Sequence, residues 1–422
     1  MNNPGQQREK IAFVALRHRE FRWYFIASML AMMADNIEHV ISYWVIFRIF
    51  HSPVLGGFAV ISHWMPFLLF SFYSGALADR FDCRRLIQAG MAMFILVSLV
   101  WGILFLTQAI QVWHAVILLT VHGFAGVLWE PAALLIIHDI VGSEHLQSAI
   151  RLNATSRYLG IVLGPVIGGG LLLLVGPAPG LLVNGLIYLP LIVWLLTVAY
   201  TGHDPEARRA GLSKRFGLAN TIEVLREVAG NRTILSMVLL AGASAFFVGN
   251  AFQAHMPEYA HHFGTDDESL AYSSLLAANA AGAVVGGLLL EARGLLKLQA
   301  RTAVIFAILF CLSIGSFALA TNYPLALALL FLAGVFNLAS VTMAQTLVQL
   351  LAPPDVRGRL IGVFATSNLG LRTFSGVTVG LLGGLIGVHF SLALSATALL
   401  AVAIALLAFA VRSGTDTVNP AS

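Results

Sequence analysis

SRYLGIVLGPVIGGG, residues 156–170, and LRTFSGVTVGLLGGL, residues 371–385, are two apolar, glycine-rich stretches that align at an offset of 215 residues. At that offset Asn153, Arg157, Gly168 and Gly169 return as Asn368, Arg372, Gly383 and Gly384. GALAD (75–79) is similarly echoed by GLLLE (287–291). A weak repeat between two halves points to a two-bundle transporter with a site between the halves, near the bilayer midplane.

The composition agrees. Of 422 residues, 58% are hydrophobic and only 10% charged, whereas soluble domains carry about 25% charged residues. Apolar runs of about 20 residues recur, each long enough to cross about 30 Å of hydrocarbon, and without water such runs must be helices. Twelve are read, at about 22–49, 54–78, 86–107, 112–139, 147–174, 179–200, 232–256, 268–291, 299–320, 323–351, 359–385 and 387–411. The longest break, at about 201–232, divides them six and six. The expected fold is an all-α membrane protein of twelve transmembrane helices in two pseudo-symmetric bundles: 1–200, a linker over 201–231, and 232–422.

Basic residues cluster on one side of this topology: Arg8, Lys10, Arg17, Arg19 and Arg22 before helix 1, Arg80, Arg84 and Arg85 after helix 2, six in the central connection, and Arg412 after helix 12. The excess of Lys and Arg predicts an inner membrane protein with both termini cytoplasmic. The polar first 20 residues are not those of a cleavable signal, and Cys83 and Cys311 form no disulfide pattern. In the linker, Phe216, Ile222, Leu225 and Val228 share one helical face and suggest a strip lying on the inner leaflet.

GALADRFDCRR (75–85) resembles the loop 2–3 signature of the major facilitator superfamily, with Gly75, Asp79, Arg80 and Arg84 in register. The resemblance implies a conformational latch, in which Asp79 meets the N-terminal end of helix 11 and Arg357 or Arg359. GIVLGPVIGG (160–169) matches the helix-5 antiporter motif at Gly160, Gly164, Pro165, Gly168 and Gly169. In the superfamily that motif points towards exporters. AFQAHMPEYA (251–260), WEPAALLIIHDIV (129–141) and APPDVRGRLIGVF (352–364) are similar to the siderophore and macrolide exporter branch. Helix 4 lacks the arginine motif of many proton-coupled drug exporters, and His122 stands nearest to that role.

Buried charge needs a reason, since one ion at the bilayer centre costs about 2.5–3.5 kcal/mol on the insertion scale. ASMLAMMADNIEHVISYW (27–44) carries three ionisable groups within five residues. Spacings of three and four put Asp35, Glu38 and His39 on one face of helix 1, and Tyr43 extends it. Glu130 lies mid-helix 4 beside Trp129, and Arg157 and Arg372 lie within helices 5 and 11. Asp35 and Glu38 are expected to carry protons, His39 to tune them and Glu130 to join the same centre. Arg157 and Arg372 would bind an anionic group of the substrate or balance the acids. Tyr43, Trp64, Trp129 and Phe247 would wall the cavity. His63, His122 and His138 read as packed or hydrogen-bonded histidines.

No G-x-x-x-x-G-K sequence is present, so a nucleotide-driven pump is not expected. The sequence therefore reads as a non-enzymatic secondary transporter exporting an organic small molecule, siderophore- or drug-like, by proton antiport. It would work as a monomer with substrate, protons and the bilayer as partners, without cofactor or nucleic acid. Two alternatives stand beside it. Asp35-x-x-x-His39 looks like the helix-1 metal pair of ferroportin, with Glu38 a third ligand for a divalent ion. The other alternative is a non-transporting sensor or assembly partner built on the same fold.

Overall fold

The computed structural model describes residues 13–202, 230–265, 267–291, 299–352 and 357–411, and the linker strip lies outside them. Twelve long helices follow in order, as the sequence predicts: α1 Arg19–Phe50, α2 Pro53–Arg80 and α3 Cys83–Leu106, then α4 Val112–Gly142, α5 Glu144–Leu174, α6 Pro177–Thr197 and α7 Arg232–Ala254. The remainder are α8 Glu268–Glu291, α9 Ala300–Ala318, α10 Tyr323–Leu351, α11 Leu360–Ile386 and α12 Val388–Val411. Among the described residues, eleven helices are long and apolar enough to cross a membrane, and α1 is not among them. Its Asp35, Asn36, Glu38 and His39 make it too polar. The helix that qualifies least as a membrane span carries the most ionisable chemistry.

Local sequence sets the helix ends. Ser52 caps α2, Asp82 caps α3, Asn231 caps α7 and Asn322 caps α10, each accepting a hydrogen bond from a backbone N–H in the first turn. From the apolar pattern, residues 140–146 are expected to separate helices 4 and 5. The structure instead runs α4 into α5 through a kink at Gly142, whose φ of 68° suits a residue without Cβ. The helix α11 contains two π-turns, Thr366–Gly370 and Gly376–Leu381, flanking Arg372.

Among the described residues, the two bundles make close contacts at the ends of their helices remote from loop 2–3. There Tyr272 on α8 stacks on Trp44 of α1 with ring centroids 5.3 Å apart, and its hydroxyl donates to the Val40 carbonyl at 2.7 Å. Arg48 of α1 pairs with Glu268 of α8 at 2.6 Å. Gly57 of α2 packs so tightly on α11 that an added Cβ would lie 2.7 Å from the Gly376 carbonyl oxygen and 2.8 Å from Gly380 Cα. Such backbone approach between small residues is how helices associate where hydrophobicity supplies no drive.

Candidate functional site

Two helix crossings bring the site together. On α5, Gly160, Gly164 and Gly168 pack at spacing four against Met32, Asn36 and Val40 of α1, also at spacing four. With that face of α1 occupied, Asp35, Glu38 and His39 turn towards α2, α3 and α4. At the second crossing Gly123 of α4 lies directly against the Ser62 carbonyl of α2, with no room for a Cβ. The neighbours of these two residues, His122 and His63, are thereby placed with ring centroids 5.3 Å apart.

The result is a buried cluster. His122 Nδ1 lies 2.7 Å from Glu38 Oε1, and Nε2 lies 2.9 Å from Asp35 Oδ1. The first contact is a hydrogen bond. The second is within ion-pair range, but Nε2 makes no hydrogen bond. The other Glu38 oxygen accepts a short hydrogen bond from the Ser98 hydroxyl of α3, and Asn184 of α6 donates to that hydroxyl at 3.2 Å. His39 Nδ1 is 3.8 Å from Asp35 Oδ2, and its Nε2 is 3.2 Å from His63 Nδ1. The ring of Phe94 packs against His122, and that of Tyr43 against His39, at centroid distances of 4.7 and 5.3 Å. One nitrogen or oxygen from each of Asp35, His39, His63 and His122 lies within 4.8 Å of the others, and among the described residues these four form the group that could hold a metal ion.

Glu130 does not join this cluster. It forms a short ion pair with Arg157 of α5, whose guanidinium sits 6.0 Å from the centroid of Trp129. The repeat-related Arg372 sits 5.0 Å from the centroid of Trp64, which in turn packs against His63 at 4.6 Å. Arg372 Nε donates to the Asn368 carbonyl at 3.0 Å, and no carboxylate faces the guanidinium among the described residues. The Trp64 indole donates across the bundle interface to Asn250 Oδ1 at 3.0 Å.

The other expected site residues divide. Trp64 and Phe247 are half-buried, whereas Tyr43 and Trp129 lie in the hydrophobic cores. Of the antiporter motif, Gly160, Gly164 and Gly168 form the contact with α1, Pro165 sits within α5, and Gly169 lies against Ser273 of α8. For the latch, the side chains of Gly75, Asp79, Arg357 and Arg359 lie outside the described part of the structure. Arg80 is exposed. Arg84 is held inside the N-terminal bundle by Asp82 at 2.7 Å and by the Val198 carbonyl at 2.6 Å.

Residues 10–422 match the family of transmembrane secretion effectors. The chain belongs to that family. Secretion effectors of this type are major facilitator transporters, and the comparisons agree with the fold. The chain is 26% identical over 380 residues to the enterobactin exporter EntS of Shigella boydii, covering 87% of this chain and 85% of that one. It is 24% identical over 152 residues to the staphyloferrin A transporter of Staphylococcus aureus, spanning 36% of this secretion effector and 38% of that relative's length. Among solved structures, the nucleoside transporter NupG superposes with a TM-score of 0.68 at 14% identity, over 93% and 99% of the two chains. An inward-facing bacterial homologue of the lysosomal transporter Spinster gives 0.65 at 17%, over 94% and 95%. The protein is a multi-pass membrane transporter of small molecules, resembling siderophore exporters.

Proposed function

We propose that this secretion effector exports an organic small molecule of siderophore-like character across the inner membrane, by alternating access and in exchange for protons. Both termini would then be cytoplasmic. One observation carries the reading: among the described residues the tight inter-bundle contacts gather towards the end of the helices away from loop 2–3, next to a charged centre on α1, α2, α4, α5 and α11. That is the arrangement of a transporter closed on one side, with cargo groups waiting at mid-depth. The siderophores named for the relatives, enterobactin and staphyloferrin A, support the cargo class.

Antiport requires that cargo and proton exclude one another, because coupling between two ligands is reciprocal. Glu130 suits this role, since it stands outside the histidine cluster and keeps about a quarter of its side chain exposed beside Arg157. A hydrogen-bond donor or cationic group on the cargo would compete with a proton for its carboxylate. Arg372, already aligned over Trp64, would take an anionic group of the same molecule. Flux in proteoliposomes under an imposed pH gradient tests the reading. Wild-type efflux should accelerate with the inward proton gradient, and Glu130→Gln should run downhill exchange without that acceleration. Efflux indifferent to the gradient in the wild type would refute proton antiport.

A further inference from the structure

The geometry points to a divalent transition-metal site formed by Asp35, His39, His63 and His122. This goes beyond the export reading and needs no transport event to be true. The donor set is three imidazoles and one carboxylate, from α1, α2 and α4, with ligand atoms already within 4.8 Å of each other. Around a tetrahedral ion with bonds of about 2.0–2.1 Å the ligand atoms stand about 3.3 Å apart. Closing the cluster onto an ion therefore needs side-chain rotations and no rearrangement of helices. Imidazole-rich sets select zinc, cobalt, nickel, copper or ferrous iron over magnesium and calcium, which favour all-oxygen shells.

A second observation is independent of proximity. His122 is buried at 3% exposure, and its Nε2 makes no hydrogen bond although it faces Asp35 Oδ1 at 2.9 Å. In a neutral imidazole one nitrogen donates and the other keeps a lone pair. With Nδ1–H directed at Glu38, Nε2 faces a carboxylate oxygen at 2.9 Å, a place that calls for a cation, either a second proton on the ring or a metal ion that displaces it. The carboxylate–histidine contact is also how metal-binding histidines are oriented. Here Glu38 is itself fixed by Ser98, and Ser98 by Asn184. Glu38 is thus a positioning residue rather than a ligand. This differs from the sequence pattern, which offered Asp35, Glu38 and His39. Charge favours the same outcome: two carboxylates, three neutral imidazoles and a dication sum to zero in a buried place.

The test uses the full chain, purified in detergent through an affinity tag without histidine and stripped with chelator. Titration with Co(II) should give one equivalent of bound ion with the strong visible absorption of a tetrahedral site. Zn(II) should displace the Co(II), and Mg(II) and Ca(II) should not. His63→Gln and His39→Gln, chosen because an amide keeps bulk and polarity, should each abolish the absorption while thermal unfolding stays cooperative. Glu38→Gln should leave the absorption but weaken affinity about 10–100-fold. The inference is overturned if the wild type shows no tetrahedral Co(II) signal, or if the signal survives both His63→Gln and His39→Gln. Gradient-driven flux measured on the same preparation separates its failure from that of the export reading.

Discussion

Arg157 and Arg372 occupy repeat-related positions and both lie over tryptophan rings, Trp129 and Trp64, yet among the described residues only Arg157 has a carboxylate against it. The two halves have kept the same cation on the same kind of surface and given it different company. Arg372 is the one available to cargo. Arg372→Gln should raise the KM for an anionic cargo about 10–100-fold, the loss of a charge-assisted contact worth about 1.5–3 kcal/mol, with little change in maximal rate. Arg157→Gln should instead lower stability, by roughly 1–3 kcal/mol, and alter the proton dependence of transport through Glu130 rather than the KM for an anionic cargo. That loss of stability is less than the 3–5 kcal/mol for a fully buried pair, because each side chain keeps about a quarter of its surface exposed. Transport kinetics and thermal unfolding of the two variants check this.

The crossing of α2 and α4 gives a second expectation. A Cβ at Gly123 collides with the Ser62 carbonyl, a backbone group with nowhere to go. Gly123→Ala should separate the helices, pull His63 from His122, and destabilise by about 1–3 kcal/mol, the usual cost of overpacking. Gly170→Ala is the control, because nothing lies within 4 Å of a Cβ there. It should be neutral or slightly stabilising, since alanine favours the helix more than glycine does. Equal effects of the two substitutions would contradict the packing argument.

Gly57 makes a separate prediction about conformation. Its contact with Gly376 and Gly380 holds the bundles together at the closed end. Gly57→Leu should keep the bundles apart there and stop turnover while the protein remains folded. Spin labels on the outer ends of α2 and α11 should report a longer distance in the variant. An unchanged distance together with full turnover would show that this contact opens without consequence.

Asp82 gives the expectation for pH. Partial burial pushes its carboxyl up, but hydrogen bonds from the Arg84 side chain and backbone, with Arg84's charge, outweigh this and hold it below the ordinary carboxylate range. A depressed acid stabilises the folded state above its unfolded pKa near 4 and loses that contribution as pH falls through the lower, folded value. The clasp on the α3 cap should therefore weaken only in acid. Because the Asp82–Arg84 pair lies at the end of a helix and is only partly buried, about 1 kcal/mol or less is at stake. Thermal unfolding of Asp82→Asn should converge with that of the wild type as the pH is lowered and fall below it near neutrality.

The helices were legible because lipid demands apolar runs, and the repeat of Arg157 as Arg372 exposed the two halves. The group on α1 was legible too, because spacings of three and four are written along one helix. His63 and His122 were not. Their contact depends on how α2 and α4 cross, which the chain records only in a glycine at position 123 and a small residue at 62. That signal was present: each histidine adjoins one of the residues that let the helices touch. Which acid Arg157 balances was not legible either, since sequence spacing says nothing about which carboxylate an arginine on another helix will reach, and Glu130 pairs there instead of joining the group on α1.

The C-terminal half repeats the α2–α4 crossing between α8 and α10, where Gly334 lies directly against the Asn279 carbonyl and Gly282 against that of Phe331. The backbone approach is the same, but among the described residues no histidine cluster accompanies it. One half of the molecule thus builds this crossing without the polar centre that the other half places on it. The scaffold and its chemistry are separable, so lineages carrying this architecture are free to erase, move or rebuild the centre while inheriting the same helices, and the histidines rather than the fold are the place to look for what distinguishes one transporter from its cousins.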